Sequence, residues 1–174
     1  MRAPVQTLII LAAVVAIDSV PGARDWLIYD RAAIETGEFR RLFTGHLCHF
    51  TTEHLAWNAL VVATAGAWIE LRRIRGGALL LWAGPWTISV GLFLLEPNMV
   101  QYGGLSALAT AAVALIALSE KCAWLFCAVV IKAIIGSSWM AFDAEAVVSG
   151  ISHQLGALTG IGVFAVGRVS RGIA

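Results

Sequence analysis

Charge is scarce in this chain of 174 residues: Asp, Glu, Lys and Arg together make up 13%, against about 25% in an ordinary soluble domain. The net charge is +1, so there is no basic field of the kind that nucleic-acid binding needs. Cysteine is scarce too. Cys48, Cys122 and Cys127 are odd in number and lie in or beside apolar runs. They exclude a disulfide framework and read as small buried hydrophobes. Internal repeats and low-complexity segments are lacking.

Apolar residues are abundant, at 59% of the chain, where about 45–50% is usual. They gather in six runs: Pro4 to Val20, His54 to Leu71, Gly77 to Leu95, Gly104 to Ser119, Cys122 to Met140 (interrupted by Lys132) and Ala146 to Gly167. A spanning helix needs about 20 mostly apolar residues, with about 17 the lower end. The pattern therefore predicts an all-α membrane protein, with residues 1–174 forming a single domain built as a six-transmembrane-helix bundle. The first run opens a protein with further spans and lacks a clean small-x-small cleavage site, so it is read as a retained helix.

The one long connection, Pro21 to Glu53, mixes Arg24, Asp25, Asp30, Arg31, Glu35, Glu38, Arg40 and Arg41 with Trp26, Leu27, Ile28, Phe39, Leu42 and Phe43. Linkers rarely hold so many large apolar residues. The expectation is a folded insertion at the bilayer interface, forming the first outer loop. Lys and Arg near helix ends set the orientation. With the N-terminus inside, one side receives Arg2, Arg72, Arg73, Arg75, Lys121, Arg168 and Arg171, and the other only the four arginines of the long loop. Both termini are expected in the cytoplasm.

Polar groups inside apolar runs are costly and report function or internal pairing. They are few: Asp18, His54, Asn58, Glu70, Ser106, Lys132 and His153. Ser106 follows Gly103–Gly104–Leu105 where a loop enters the fourth run. Two readings stand. It is a helix-capping serine, or a nucleophile in a first turn whose free N–H groups favour developing negative charge. His153 is followed by Gly156 and Gly160 on one helical face. That smooth face lets another helix approach closely, and Ala107, Ala111 and Ala114 offer a partner surface. His153 is then either satisfied by a backbone carbonyl or placed to serve Ser106 as general base. It lies about 10 Å along a helix starting near Ala146 on the outer side, the side from which Ser106 also enters. His54 and Asn58 share a face at i to i+4. They either satisfy the helix start or donate to an oxyanion. His46, Cys48, His49 and His54 cluster within nine residues, yet the set lacks a usual paired ligand spacing for zinc. No metal is expected.

These elements, in this order, resemble the rhomboid family of intramembrane serine proteases, from about Glu38 to Gly167. Gly37–Glu38–Phe39–Arg40–Arg41–Leu42–Phe43–Thr44 is similar to the family's Trp-Arg region, with Phe39 in the Trp position. His49–Phe50 followed by His54-x-x-x-Asn58 resembles its oxyanion motif. Gly104-x-Ser106 resembles its nucleophile motif, and His153-x-x-Gly156-x-x-x-Gly160 its final-helix base motif. The family usually has glycine after the nucleophile, where this chain has Ala107. Tyr29–Asp30–Arg31, Arg41 to His46 and Tyr102 to Ser106 also look like the bacterial rhombosortase subgroup.

The resemblance implies a rhomboid-like bundle in the bacterial inner membrane, with its active site open to the periplasmic side. It implies a serine endopeptidase with a Ser106–His153 dyad, and His54, Asn58 and Gly104 at the oxyanion and substrate site. Gly156 and Gly160 would pack the helices, and no cofactor would be required. The substrates would be transmembrane or C-terminally anchored proteins, including ones with Gly-Gly-type sorting tails. Two other expectations compete. Ala107 fits a catalytically inactive rhomboid-like protein that binds transmembrane helices. A polar path through His54, Asn58, His153 and Lys132 fits a small transporter.

Overall fold

The computed structural model describes residues 3–135 and 150–172, and they are mostly helical. In chain order the elements are α1 (Val5–Ser19), α2 (Ala23–Leu27), β1 (Tyr29–Asp30), α3 (Arg31–Glu35), α4 (Arg41–Thr44), a 3-10 turn (Gly45–Leu47), α5 (Thr52–Leu71), α6 (Gly77–Leu95), β2 (Gln101–Tyr102), α7 (Ser106–Ser119), α8 (Ala123–Ile135) and α9 (Gly150–Gly172). Each of the six apolar runs becomes a helix, and the third keeps its expected bounds. The last part of the fifth run (136–140), the start of the sixth (146–149) and the short loop between them lie outside the described residues.

Among the described residues, only α6 is both long and apolar enough to cross a membrane. The six-span expectation thus reduces, at the level of single helices, to an all-α bundle. Two causes act. α1, α7 and α8 are apolar but short; the Glu120–Lys121 pair ends α7 and the glycine entry delays its start. α5 and α9 are long enough but carry Glu53, His54, Asn58 and Glu70, or His153, Gln154 and Arg168, which lower their hydropathy.

α7 is the centre of the fold. Alanines and leucines cover all its faces, so it can be buried all round, and it packs against α5, α6, α8 and α9. Leu105, Leu108 and Leu115 meet Val62, Ile69 and Leu80 in the largest core cluster. The outward faces of the bundle carry large apolar side chains instead, such as Leu94 (71% exposed) and Ile134 (73%).

The long connection is folded. β1 pairs antiparallel with β2, Tyr29 opposite Tyr102 and Asp30 opposite Gln101. Arg41, buried, donates to the carbonyls of Asp25 (3.0 Å) and Ile28 (2.9 Å) and to Glu38 (2.7 Å). Arg31 donates to the carbonyls of Phe93 (2.8 Å) and Glu96 (2.9 Å) and lies over the Phe93 ring. Two arginines thereby satisfy carbonyls that neither helix nor sheet could, and tie the insertion to the end of α6.

Glu70, near the C-terminal end of α5, receives the Gln6 N–H (3.0 Å), the Thr7 N–H (2.7 Å) and the Thr7 hydroxyl (2.6 Å). A carboxylate at the start of α1 satisfies orphan donors and complements the helix dipole. Glu70→Ala is expected to destabilise the protein by about 1–3 kcal/mol, with Glu70→Gln losing less; thermal melts in detergent measure both.

Candidate active site

Ser106 is the first residue of α7 and is 7% exposed. Leu105 occupies the capping position, with no side-chain cap bond. The Ser106 side chain is therefore not consumed in closing its own helix. Its backbone N–H belongs to the first helical turn, where no intrahelical acceptor exists. The Thr110 hydroxyl donates to the Ser106 carbonyl (2.8 Å), which fixes that turn from below.

The loop feeding Ser106 passes under α5. Gly104 has φ +119, open to glycine alone at low cost. A Cβ there would also come within 2.7 Å of His54 Cε1, 3.1 Å of His54 Nε2 and 3.4 Å of Asn58 Nδ2. His54 and Asn58 therefore both lie against the backbone two residues before Ser106. Thr51 caps α5 by accepting the His54 N–H (3.1 Å), which sets where the His54 ring begins. Asn58 Nδ2 is buried and unpartnered among the described residues.

α9 meets α7 backbone to backbone. A Cβ on Gly156 would overlap the Ala107 carbonyl, and one on Gly160 would overlap the Ala111 carbonyl and crowd the Ala114 methyl. Residues 156 and 160 thus pair with 107 and 111 in ascending order, so the two helices run parallel. Both N-terminal ends lie at the same end of the bundle. His153 sits one turn before Gly156, as Ser106 sits one residue before Ala107. His153 is 4% exposed, with Nδ1 unpartnered among the described residues, and lies within electrostatic range of His54 and Lys132. Ala107 itself is fully buried in a cluster with Ile88, Leu92 and Tyr102, so its methyl has a place.

Tyr102 and His46 carry no catalytic role in the sequence-based reading, and His49 enters it only through the likeness to the oxyanion motif. The Tyr102 hydroxyl donates to the Gly104 carbonyl (3.2 Å) and lies within hydrogen-bond reach of the Ser106 and Ser152 side chains and the Ala107 N–H. It joins the first turns of α7 and α9. Burial pushes the Tyr102 phenol up to about 12, so it stays a donor. His49 Nε2 accepts the Leu105 N–H (3.4 Å), and the His49 ring meets the His54 ring at 5.2 Å. His46 Nε2 lies 3.0 Å from both the Pro85 carbonyl and the Ser89 hydroxyl, and its ring packs on Tyr102. The carbonyl can only accept, so Nε2 carries the proton. The only available signal was polarity inside apolar surroundings, which does not name a partner 39 or 43 residues away. These histidines do not converge on a common point, and no group of three His, Cys, Asp or Glu that could hold a metal occurs among the described residues.

No protein-family model matches the chain, and no curated protein matches it.

Two outcomes follow from this geometry. Gly156→Ala and Gly160→Ala press a methyl into a backbone carbonyl and are expected to lower stability. Gly162→Ala meets nothing within 4 Å and should raise it by about 0.5–1 kcal/mol, the ordinary gain of replacing a helical glycine. Melting temperatures of the three variants in one detergent check the split in sign.

Burial lowers His46 and His49 from 6.5 to about 4, with His54 adding to the effect on His49. Above pH 6.5 both residues are neutral in the folded and unfolded chain and leave stability unchanged. As pH falls from about 6.5 towards about 4, only the unfolded chain takes up these protons. Stability should fall across that window by up to about 1.4 kcal/mol per pH unit for each histidine, and then level off. Denaturation at stepped pH measures the slope.

Proposed function

We propose that this protein is a rhomboid-type intramembrane serine endopeptidase, a six-transmembrane-helix bundle in the bacterial inner membrane with both termini in the cytoplasm. The observation that carries the reading is the parallel contact of Gly156 with Ala107 and Gly160 with Ala111, because it sets a buried serine and a buried histidine at the same end of two touching helices. The membrane part of the reading draws support from the inverted surface: polar His46, His49, Asn58, Ser106 and His153 are buried while Leu8, Trp57, Leu60, Leu94 and Leu158 face outward. Of the polar positions that lower the hydropathy of α5 and α9, Asn58 and His153 are turned inward, while Glu53, Gln154 and Arg168 face outward.

In this mechanism His153 takes the Ser106 proton as the hydroxyl oxygen attacks the scissile carbonyl of an unwound substrate segment. The oxyanion is held by the Ser106 N–H with Asn58 and His54, beside Gly104. Asn58 Nδ2, buried without an acceptor among the described residues, is a donor already desolvated for that use. The leaving amine receives the proton from His153, and water hydrolyses the acyl-enzyme. Ser106 and His153 act as a dyad. The substrates are transmembrane or C-terminally anchored proteins, and removal of Gly-Gly-type sorting tails is the specific form the subgroup likeness suggests. Ala107, with its methyl in the core cluster, is compatible with an active enzyme. An inactive helix-binding relative is the second reading.

Ser106→Ala and His153→Ala are each expected to abolish cleavage of a membrane-anchored reporter, by several orders of magnitude, and Asn58→Ala to slow it by about 10²–10³. A serine-directed phosphonate should label the protein only when Ser106 is present. Full cleavage by Ser106→Ala rejects the assignment, and failure to label with intact folding favours the inactive reading.

A further inference from the structure

The opposite end of α7 carries a cleft of about 550 Å³, enclosed by the C-terminal ends of α5, α7 and α9. Its rim holds Arg72, Arg73, Arg75, Lys121 and Arg168 against a single carboxylate, Glu120. Glu120 is already engaged, lying 3.6 Å from Arg72 and accepting the Trp68 indole N–H (3.3 Å). Arg73, Arg75 and Lys121 have no acidic partner among the described residues. The floor is apolar, with Ile74, Leu118 and Phe164. Gly167 lies against the Arg75 backbone (a Cβ there would be 3.5 Å from Arg75 Cβ), which lets the rim close down on α9.

Two of these cations occupy positions that favour glycine. α5 ends in a turn where the Ile74 N–H donates to the Ile69 carbonyl (2.9 Å) and the Arg73 N–H to the Glu70 carbonyl (3.2 Å). α7 ends with the Cys122 N–H on the Ala117 carbonyl (2.8 Å). Both are helix terminations that need one left-handed residue, usually glycine. Here those residues are Arg73 (φ 53) and Lys121 (φ 54). The other left-handed positions among the described residues are Gly22, Gly37, Gly76 and Gly104. The chain thus uses glycine wherever it turns left-handed, except at the two positions that put a cation on this rim. Helix dipoles alone do not explain the exception, because Arg72 and Arg75 already lie at the same end.

We propose that this cleft binds the phosphate of an anionic phospholipid headgroup. The unmatched positive rim fits a phosphodiester. The apolar floor, and the exposed Leu71, Val166 and Val169 beside it, fit acyl chains, which a free phosphate would leave unused. The site rests on the membrane part of the reading above but not on the protease part. Ser106 is fifteen residues of helix away, about 20 Å.

Native mass spectrometry of the full chain in detergent tests it, with short-chain phosphatidylglycerol, phosphatidylcholine and inorganic phosphate as separate probes. The wild type is expected to retain phosphatidylglycerol in preference to phosphatidylcholine, with no displacement by millimolar phosphate. The double variant Arg73→Gly with Lys121→Gly removes two charges while relaxing both turns. It should melt no lower than wild type and bind phosphatidylglycerol about tenfold more weakly. Arg24→Gln with Arg40→Gln, which removes equal charge from the other end, should bind as wild type does. Equal retention of the two lipids, displacement by phosphate, unchanged binding by the glycine variant, or equal weakening by the control each overturns the proposal. The assay reads binding alone, so a Ser106→Ala protein serves as well, and loss of proteolysis leaves the result untouched.

Discussion

Two glycines on α9 resting on two carbonyls of α7 are the contact on which the candidate site depends. Gly156 on Ala107 and Gly160 on Ala111 leave no room for a methyl, so the axial register of the helices is fixed to within one residue. Side chains at larger spacing could slide by a turn without much loss. A backbone contact cannot, because each step of slip replaces a glycine by a residue with a Cβ. The parallel direction of the pair then does the rest. It stacks first turn on first turn, and the Tyr102 hydroxyl, reaching Ser106, Ser152 and the Ala107 N–H, joins the two turns at their common end.

The insertion between α1 and α5 builds the other wall. Gly104 donates its N–H to the Gly45 carbonyl (3.3 Å), and a Cβ on Gly45 would come within 2.6 Å of the Tyr29 backbone nitrogen. Tyr29 in turn pairs with Tyr102. The chain therefore passes from buried Arg41, through β1 and β2, to the loop that delivers Ser106, in steps of one or two residues. Each step is short and hydrogen-bonded, so motion of the insertion and placement of Ser106 are mechanically linked. An exposed loop of ordinary composition would not transmit position in that way.

The helices were legible in the sequence because apolar runs are a local property, and Gly77–Leu95 was readable to its ends. The smooth face of α9 was legible for the same reason: the i, i+3, i+7 spacing of His153, Gly156 and Gly160 is fixed by helix geometry alone. Their partner face on α7, Ala107, Ala111 and Ala114, was readable too, because small residues at helical spacing mark it. Membrane spanning did not carry through at the level of individual helices. Counting apolar residues along a run treats Asn58 and Glu70 as interruptions, and cannot tell whether they face inward. Tyr102 and His46 were not legible as parts of the site. Tyr102 reaches it through a pairing of two-residue strands 73 positions apart in sequence, and His46 through Ser89 and the Pro85 carbonyl. Such non-local pairings leave no periodic trace.

Burial at this end of α7 has a consequence that a plain core would avoid. Asn58 Nδ2 and His153 Nδ1 are both buried without a partner among the described residues, and each such group costs about 1–3 kcal/mol. Leucine at position 58 would remove the first cost and extend the Val62 face of α5. A histidine one turn from a glycine-lined contact could likewise be replaced without disturbing that contact. What the two polar groups share is their neighbourhood: Asn58 and His54 lie on Gly104, and His54 is within electrostatic range of His153. Tyr29 Oη, His46 Nδ1 and His49 Nδ1 are unpartnered as well among the described residues, so the cost is spread over the loops that feed α7, with Asn58 and His153 its share nearest Ser106. At the far end of the same helix the surplus has the opposite form, with cations set in glycine positions and a single carboxylate, Glu120, already engaged by Arg72. α7 thus separates two unsatisfied ends, one neutral and buried, the other charged and open to solvent. Neither is explained by the packing of α7, which is buried along most of the length between them.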